Sequence, residues 1–358
     1  MTTAERATHL AAAATRFPFL GPTTAAALLG LVRTELGDAA ALDDFTPYGG
    51  QLALAVAPET ILHVISANTP AAGLQSLLRG LLLGAHNLCK TPAAGLPEIA
   101  EFRGALPPEL AARVEIAGTL PDDWLPRAEA VIVFGHDATI AHFRALVRPG
   151  QRFVAHGHRL SFGVVFDDPA FVSAPLAARD ASLFDQQGCL SPHVFYVAGD
   201  ARAYAARLAE EMRAFQESEP RGRIALAEAN AIRTRREDLA FRAAQGRPVD
   251  LWQSDGSTAW TVAYDETPGF PRSPLNRFVF VKPLPADLPA ELRKVRAHLS
   301  CAGLWPATRT HARTLAALGV SRLCPLGRMQ SPPWTWLQDS APALAPLVRW
   351  VGADGLGD

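Results

Sequence analysis

Cys189 stands in a stretch whose residue types suit nucleophilic chemistry. Two glutamines and Gly188 precede it, and Ser191-Pro192 interrupts the chain just after it, in FDQQGCLSPHVFYV, residues 184–197. A glycine at such a junction lets a ligand approach the backbone closely. Backbone N–H groups at a junction of this kind lower the pKa of a thiol toward the range in which thiolate is populated. On local context alone, a half-buried structural cysteine is the competing interpretation.

The segment ISANTP, residues 65–70, is a second candidate. It ends a predicted strand with Ser66, Ala67 and Asn68 and then begins a helix at Pro70. Doubly wound sheets bind cofactors in the crevice beyond the carboxyl ends of their strands, and a helix N-terminus there favours phosphate. No G-x-G-x-x-G run occurs at this strand end, so the usual dinucleotide fingerprint is missing. Taken by itself, Asn68 is more often a simple turn residue.

Two more predicted strands end in polar or glycine residues. Lys90 closes the strand NLCK, where it is able to hydrogen-bond a ribose or a phosphate, although most lysines at strand ends are only solvated. Gly135 and His136 lead from the strand VIVFG into a helix. Because the carboxyl ends of parallel strands meet at one edge, these residues are expected on the same side of the sheet as Ser66.

Metal and disulfide chemistry are not indicated. His156 and His158 form an H-x-H pair, but no partners follow at zinc spacing. The chain has four cysteines: Cys89, Cys189, Cys301 and Cys324. They are far apart and contain no CxxC pair, a pattern typical of a reducing cytoplasm.

Composition limits the classes of protein. The chain has 358 residues, of which 49% are apolar and 19% charged, so two globular domains are expected. A net charge of −1 provides no excess of positive charge that would attract nucleic acid or an anionic membrane. The first residues lack a long apolar run and predict no signal peptide. The most apolar window, Pro70 to Leu83, contains Arg79 and is too short for a membrane span.

Alternating strand and helix patterns predict the fold. From Thr60 onward, the alternation predicts βαβ units and a parallel, doubly wound sheet in a dinucleotide-binding domain over residues 1–152. A second α/β run over 153–326 includes a helix through APLAARDASLFDQQ, which leads to Cys189. The tail, 327–358, is aromatic and broken by prolines, with a short helix; packing against the first domain is one option for it.

The order and spacing of these pieces resemble the aldehyde dehydrogenase superfamily. The segments FDQQGCLSP, HGHRLSF and SRLCPLGRMQSPPWTWLQDS are more specifically similar to LuxC-type acyl-CoA reductases, the fatty acid reductases known from bacterial bioluminescence. The resemblance covers roughly residues 50–350. It implies an α/β, aldehyde dehydrogenase-like fold, with a Rossmann-type cofactor domain and a second α/β catalytic domain that carries the cysteine.

The resemblance also implies roles for individual residues. Cys189 matches the nucleophile that receives the acyl group, and Asn68 matches the asparagine that stabilises the oxyanion together with the Cys189 N–H. Lys90 matches the lysine that holds the adenosine ribose. The remaining cofactor contacts are implied at the strand ends: Ser66 and Ala67, Gly135 and His136 near the adenine, and Gly157 near the nicotinamide.

One departure from the superfamily pattern bears on the reaction. Hydrolytic members carry a glutamate just before the glycine turn as the general base for deacylation, whereas residues 153–157 contain no acid. A positioned general base is worth ~10²–10⁴-fold in rate. Without it, an acyl-enzyme should survive until hydride arrives, unless His156 or His158 replaces the glutamate.

The implied activity is the NADPH-dependent reduction of an acyl thioester to an aldehyde through an acyl-cysteine, with release of coenzyme A. NADPH is favoured over NADH because Ala93 stands where NAD-preferring relatives often have a glutamate, and Glu98 is the nearest acid. The acyl group comes from acyl-CoA, a carrier or a partner synthetase, and a homo-oligomer is left open. The alternatives are an oxidising aldehyde dehydrogenase and a non-catalytic acyl-accepting subunit.

Overall fold

A computed structural model describes residues 1–66 and 70–354 of the chain. The chain divides into two compact units: unit 1 contains Met1–His158 and Pro333–Asp358, and unit 2 contains Arg159–Pro332. The elements of unit 1 up to its last parallel strand are α1 (Thr3–Ala14), α2 (Ala25–Leu36), β1 (Thr46–Tyr48), β2 (Gln51–Val56), β3 (Thr60–Val64), α3 (Pro70–Leu83), β4 (His86–Lys90), α4 (Pro97–Gly104), α5 (Pro108–Ala111), β5 (Val114–Ala117), α6 (Trp124–Arg127), β6 (Ala130–Phe134), α7 (Asp137–Leu146) and β7 (Arg152–His156).

Unit 2 follows, and the chain then returns to unit 1 for one final strand. The elements are β8 (Leu160–Val165), α8 (Ala174–Ser182), β9 (Pro192–Val197), α9 (Ala201–Ser218), α10 (Leu226–Ala244), β10 (Val249–Gln253), β11 (Thr261–Asp265), β12 (Phe278–Pro283), α11 (Leu288–Leu292), β13 (Leu299–Trp305), α12 (Arg309–Ala316), β14 (Arg322–Pro325) and β15 (Arg349–Ala353). None of the helices within the described ranges has the length and apolar character that crossing a bilayer requires.

The main sheet of unit 1 confirms the predicted parallel, doubly wound arrangement. Its strand order is β5-β4-β3-β6-β7, and every neighbouring pair is parallel. The order reverses between β3 and β6, which is where such sheets open a crevice beyond their carboxyl ends. Helix α3 packs through leucines at helical spacing that are fully buried: Leu74, Leu77, Leu78, Leu81 and Leu82.

A buried hydrogen-bond network fixes α3 on β3 and β4. The His63 ring lies 2.7 Å from Ser76 Oγ through Nδ1 and 2.9 Å from Asn87 Oδ1 through Nε2. Asn87 uses its amide nitrogen to donate to the Ala85 carbonyl, so its Oδ1 must accept from the His63 Nε2–H. Burial lowers the pKa of His63 to about 4 and keeps the ring neutral. A Cβ at Gly80 would come within 1.9 Å of Asn87 Oδ1, which leaves room for glycine only.

The tail of the chain contributes a strand that the sequence analysis did not predict. β15 pairs with β2, and β2 with β1, in a small antiparallel sheet. The Glu35 carboxylate accepts hydrogen bonds from three consecutive tail N–H groups, those of Ala343, Leu344 and Ala345. The predicted short helix in the tail is a single 3-10 turn, Ala345–Leu347.

The sheet of unit 2 lies within the second α/β run that the sequence predicts over residues 153–326. Its order is β10-β11-β12-β9-β8-β13-β14, parallel except for the antiparallel pair β10–β11. Its core includes large, fully buried aromatic side chains, among them Phe162, Tyr196 and Phe280. Strands β8 and β9 lie in the middle of this sheet, and the segment that carries Cys189 leads into β9.

Candidate functional site

Four of the predicted cofactor residues lie at the carboxyl edge of the sheet in unit 1. Ser66 follows β3, Lys90 ends β4, Gly135 follows β6 and Gly157 follows β7. The Gly135 N–H donates to the carbonyl of His156 over 3.2 Å, so the ends of β6 and β7 are bonded to each other. The structure therefore places these residues at one edge of the sheet, and their roles in binding a cofactor stay predictions. Two more predicted residues, Ala67 and Asn68, lie outside the described residues, and their roles stay predictions.

The N-terminus of α7 belongs to the same edge. His136 is its N-cap residue and is exposed, and its side chain makes no capping hydrogen bond to the helix. A Cβ at Gly157 would lie 3.2 Å from Ile140 Cδ1 and 3.4 Å from Asp137 Oδ1, so the backbone after β7 passes close to this helix. The first-turn N–H groups of α7 have no side-chain cap, and the same turn carries the Asp137 carboxylate.

Glu98 presents an unsatisfied acceptor on the helix that follows β4. It lies in the first turn of α4, and its Oε2 is buried without a hydrogen-bond partner in the described part of the chain. Leaving such an oxygen unpaired costs about 1–3 kcal/mol. A hydroxyl or N–H donor from a ligand would remove that cost.

His156 forms an acid–base pair that the sequence analysis did not identify. Its Nδ1 lies 2.6 Å from Asp339 Oδ2, and the two side chains are 14% and 11% exposed. The ring stacks on Phe134 with centroids 4.6 Å apart. A neutral ring donates its Nδ1–H to the carboxylate and keeps Nε2 as the basic nitrogen. The 183 residues between the partners explain why sequence spacing gave no signal.

The segment before Cys189 differs from the predicted helix. Helix α8 ends at Ser182 and does not continue to Gln187. Phe184, Asp185 and Gln186 have φ values of 53°, 51° and 61°, all in the left-handed region. Such angles cost a residue with a side chain about 1–2 kcal/mol each. Contacts elsewhere in unit 2 must therefore hold this turn.

Gln186 is the first of these contacts. It is fully buried, and its amide nitrogen donates to the carbonyls of Pro192 and Phe278 over 2.8 Å each. Its Oε1 accepts the Phe278 N–H, also over 2.8 Å. The side chain thus replaces backbone partners where the neighbouring strands β9 and β12 begin. Gln186 therefore fixes the left-handed turn to the amino ends of β9 and β12.

Asp185 and Arg277 form the second contact. The Arg277 guanidinium donates to Asp185 Oδ1 from Nε over 2.9 Å and from Nη2 over 2.8 Å. Asp185 Oδ2 accepts the Gly222 N–H over 3.0 Å. Leu275, Asn276 and Arg277 are also left-handed, with φ of 65°, 58° and 65°. Two strained turns are therefore joined by one ion pair.

Cys189 itself is exposed, whereas Cys89, Cys301 and Cys324 are buried. Its backbone carbonyl accepts a hydrogen bond from Ser161 Oγ over 2.8 Å. The described residues contain no cluster of three or more histidine, cysteine, aspartate or glutamate side chains suited to a metal ion. The arrangement is that of a solvent-accessible thiol on a turn whose backbone is held in place, which suits nucleophilic attack.

The sequence of the chain matches a known protein family. The profile of a family described as acyl-CoA reductase (LuxC) matches residues 23–350. Long-chain acyl-protein thioester reductases of Aliivibrio fischeri and Vibrio harveyi are 23% and 24% identical to this chain over 341 and 351 residues. Each alignment covers 91% of this chain and 70% of the relative.

Solved structures with a similar fold are aldehyde dehydrogenases. An NADP-dependent glyceraldehyde-3-phosphate dehydrogenase from Bacillus halodurans, complexed with NADP, has a TM-score of 0.65 at 14% identity and covers 99% of this chain and 87% of its own. A methylmalonate-semialdehyde dehydrogenase from Oceanimonas doudoroffii has a TM-score of 0.68 at 13% identity, with coverage of 99% and 86%. At these identities the likeness confirms the predicted aldehyde dehydrogenase-like fold.

Iodoacetamide should label Cys189 in the folded protein well before the other three cysteines. Burial raises the pKa of Cys89 to about 12, so its reactive thiolate is scarce near neutral pH. We expect peptide mass spectrometry to find the label on Cys189 after brief treatment. The Cys189→Ser variant is the matched control and should take up no label in that time. Labelling of the buried cysteines at the same rate would contradict the selective exposure of Cys189.

Proposed function

Because the chain belongs to the acyl-CoA reductase (LuxC) family, we propose that it reduces an acyl thioester to an aldehyde, with Cys189 carrying the acyl group between the two half-reactions. The observation that carries the proposal is the exposed Cys189 thiol on a turn fixed by Gln186 and the Asp185–Arg277 pair. The relatives named long-chain acyl-protein thioester reductases favour a long acyl chain. Because their names refer to acyl-protein thioesters, we also propose an acylated protein, in addition to acyl-CoA, as a donor of that chain.

In the first half-reaction the Cys189 thiolate attacks the thioester carbonyl carbon. A bond forms between Sγ and that carbon, the bond to the donor sulfur breaks, and the departing thiolate takes up a proton. The Cys189 N–H is assigned to the oxyanion of this step, together with the Asn68 amide predicted from the resemblance. One such donor is worth ~10²–10³ in rate.

The second half-reaction reduces the acyl group and frees the thiol. When bound, the reduced nicotinamide supplies the hydride that the acyl carbon receives. The carbonyl then re-forms, the bond to Cys189 Sγ breaks, and the aldehyde leaves while Cys189 returns as thiolate. One hydride and one proton are consumed for each aldehyde and free thiol formed. Covalent attachment keeps the acyl carbon in place for hydride transfer.

His156 is assigned to proton transfer. The thioester exchange moves one proton from the attacking thiol to the departing thiol, which calls for a group that can both accept and donate it near neutral pH. A histidine whose Nδ1 is held by a carboxylate has Nε2 oriented for this task. The 2.6 Å bond between His156 and Asp339 supports this assignment, and His158 stays the alternative that the sequence analysis named.

The carboxyl edge of the unit 1 sheet is the proposed binding place of the nicotinamide dinucleotide. Lys90 at the end of β4 is assigned to the ribose, and Gly135 and His136 at the start of α7 are assigned to the adenine side of the cofactor. Glu98 Oε2 has no hydrogen-bond partner among the described residues, and it would accept a hydrogen bond from a cofactor hydroxyl. Ala93 is exposed and carries no charge that would repel a 2′-phosphate. We therefore propose NADPH as the preferred cofactor and NADH as the alternative.

Replacing Cys189 should abolish both acyl transfer and aldehyde formation. In intact-mass spectra, the wild type should gain one acyl group from a long-chain acyl-CoA, or from a carrier protein bearing the same chain, when no cofactor is added. Cys189→Ala should gain none, because no other exposed thiol is available, and Cys89→Ala serves as the control that keeps the reaction.

The rival functions give different results in the same assay. Rapid loss of the acyl group to water, with faster turnover of aldehyde and NAD(P)⁺, would indicate an oxidising dehydrogenase. Stable acylation with no aldehyde from either reduced cofactor would indicate a non-catalytic acyl-accepting subunit. Acylation of Cys189→Ala at the wild-type level would contradict the assignment of Cys189.

A carboxylate introduced at position 93 should reverse the cofactor preference. We expect kcat/KM of the wild type to be higher with NADPH than with NADH. Ala93→Glu should lower the value for NADPH by about tenfold or more, because like charges placed together cost several kcal/mol. Ala94→Glu, at the next exposed position, is the charge-matched control and should change the ratio little. A wild-type preference for NADH would reject the proposal of NADPH.

His156→Gln should lower kcat by about 10²–10⁴-fold, as expected for loss of a general acid–base group. Asp339→Asn should cause a defect of the same kind, because an amide no longer fixes the Nδ1–H tautomer. The double variant should be little worse than His156→Gln, since the two residues act as a unit. His142→Gln, an exposed histidine on α7, is the control. Full activity of His156→Gln would remove this residue from the mechanism.

A further inference from the structure

The segment that follows β14, GRMQSP at residues 327–332, is held rigidly within unit 2. Asp180, fully buried on α8, accepts the Gly327 N–H over 2.6 Å and the Met329 N–H over 3.1 Å. From the other side, Arg322 donates to the carbonyls of Met329 and Arg328 over 2.6 and 2.7 Å. Backbone donors and acceptors of the segment are thus satisfied by one anionic and one cationic side chain.

Close packing adds to these hydrogen bonds. Met329 is fully buried, and a Cβ at Gly303 of β13 would lie 2.7 Å from its sulfur. Gly327 has a φ of 81°, and a Cβ there would lie 2.9 Å from Leu176 Cδ2. Both glycines are therefore required for the close approach, and the segment has little freedom to shift against α8 or β13.

Gln330 connects this rigid segment to the turn that carries Cys189. Its amide nitrogen donates to Ser191 Oγ over 3.0 Å and to the Asp180 carbonyl over 3.1 Å. The Ser191 N–H in turn donates to the Gly188 carbonyl over 3.0 Å, which closes the turn around Cys189. A Cβ at Gly188 would lie 3.4 Å from Gln330 Oε1, so the glutamine also packs directly on the turn.

A second contact holds the opposite side of the same turn. Ser161 Oγ donates to the Cys189 carbonyl and accepts the Cys301 N–H over 3.1 Å. The turn is therefore fixed at the Cys189 carbonyl from β8 and at Ser191 from the segment after β14. Because the backbone is held at Cys189 and the side chain at Ser191, the N–H groups of this turn keep a defined direction near the thiol.

From this geometry we infer that Gln330 is a positioning residue for Cys189, acting through Ser191, and that Asp180 holds Gln330 in place. The inference rests on the proposed function in naming Cys189 as the reacting group. The segment GRMQSP belongs to one of the stretches that carry the family resemblance, and this inference gives the segment a physical role. Gln330 contacts neither substrate nor cofactor in this account. Its effect is on the orientation and the acidity of the thiol.

The protonation of Asp180 offers a second way to observe this coupling. Burial raises its pKa to about 7, although the two N–H donors and the charges of Arg322 and Arg179 act in the opposite direction. The Cys301 and Cys324 thiols face it from β13 and β14. Protonation removes the negative charge of the Asp180 carboxylate, which accepts the Gly327 and Met329 N–H groups. The segment 327–332 should therefore be held less firmly at pH values below this pKa.

The test is the rate of Cys189 alkylation by iodoacetamide as a function of pH, which needs no acyl chemistry. Gln330→Ala should slow the reaction about fivefold near neutral pH and leave the high-pH plateau unchanged, because a loosened turn stabilises the thiolate less. Ser191→Ala should act alike, and the double variant should be no slower than either single variant. Gln151→Ala, which also removes a glutamine amide with two acceptors, is the control.

We expect the wild-type alkylation profile to contain a step near pH 7 from Asp180, and the Asp180→Asn variant should lack that step. In steady-state assays, Gln330→Ala should lower kcat by about tenfold with little change in KM for the acyl thioester. Unchanged alkylation profiles of Gln330→Ala and Ser191→Ala, or strictly additive effects in the double variant, would overturn the inference. An alkylation effect without acylation of the wild-type Cys189 would reject the proposed function and leave the positioning role intact.

Discussion

The position of the reactive thiol depends on a strained backbone that unit 2 holds in place. Phe184 to Gln186 and Leu275 to Arg277 are left-handed, a conformation that costs each residue about 1–2 kcal/mol. The Asp185–Arg277 ion pair and the three hydrogen bonds of Gln186 offset that cost. Because these contacts reach strands far apart in sequence, the turn exists only when the sheet has formed. Strain of this kind is common at functional sites.

The proposed function gives the two units different physical tasks. Unit 1 is the proposed binding place of the dinucleotide, because it brings the carboxyl ends of parallel strands to one edge of its sheet, together with a carboxylate oxygen that has no partner among the described residues. Unit 2 carries the exposed Cys189 on a turn that hydrogen bonds of Ser161 and Gln186 hold in place. The neutral His63 network serves the first task by fixing α3 below the crevice.

Much of the fold could be predicted from the sequence because it rests on local periodicity. The β-branched runs and the leucines of α3 predicted the parallel sheet, and the strand ends predicted the positions of Lys90, Gly135 and Gly157. The left-handed turn before Cys189 could not be predicted, since Phe184 and its neighbours carry no glycine signal. The pairing of His156 with Asp339 and the contact of Gln330 with the turn are tertiary contacts. They join residues far apart in sequence, so the spacing of residue types did not predict them.

The central claim is that the acyl group on Cys189 is the species that is reduced. The direct test is to isolate the acylated enzyme, free of thioester donor, and to add nicotinamide cofactor deuterated at the hydride-donating position. The account predicts one deuterium on the aldehyde carbon and a Cys189 thiol restored to its unmodified mass. Release of unlabelled carboxylic acid, or aldehyde formed only when fresh thioester is present, would contradict it.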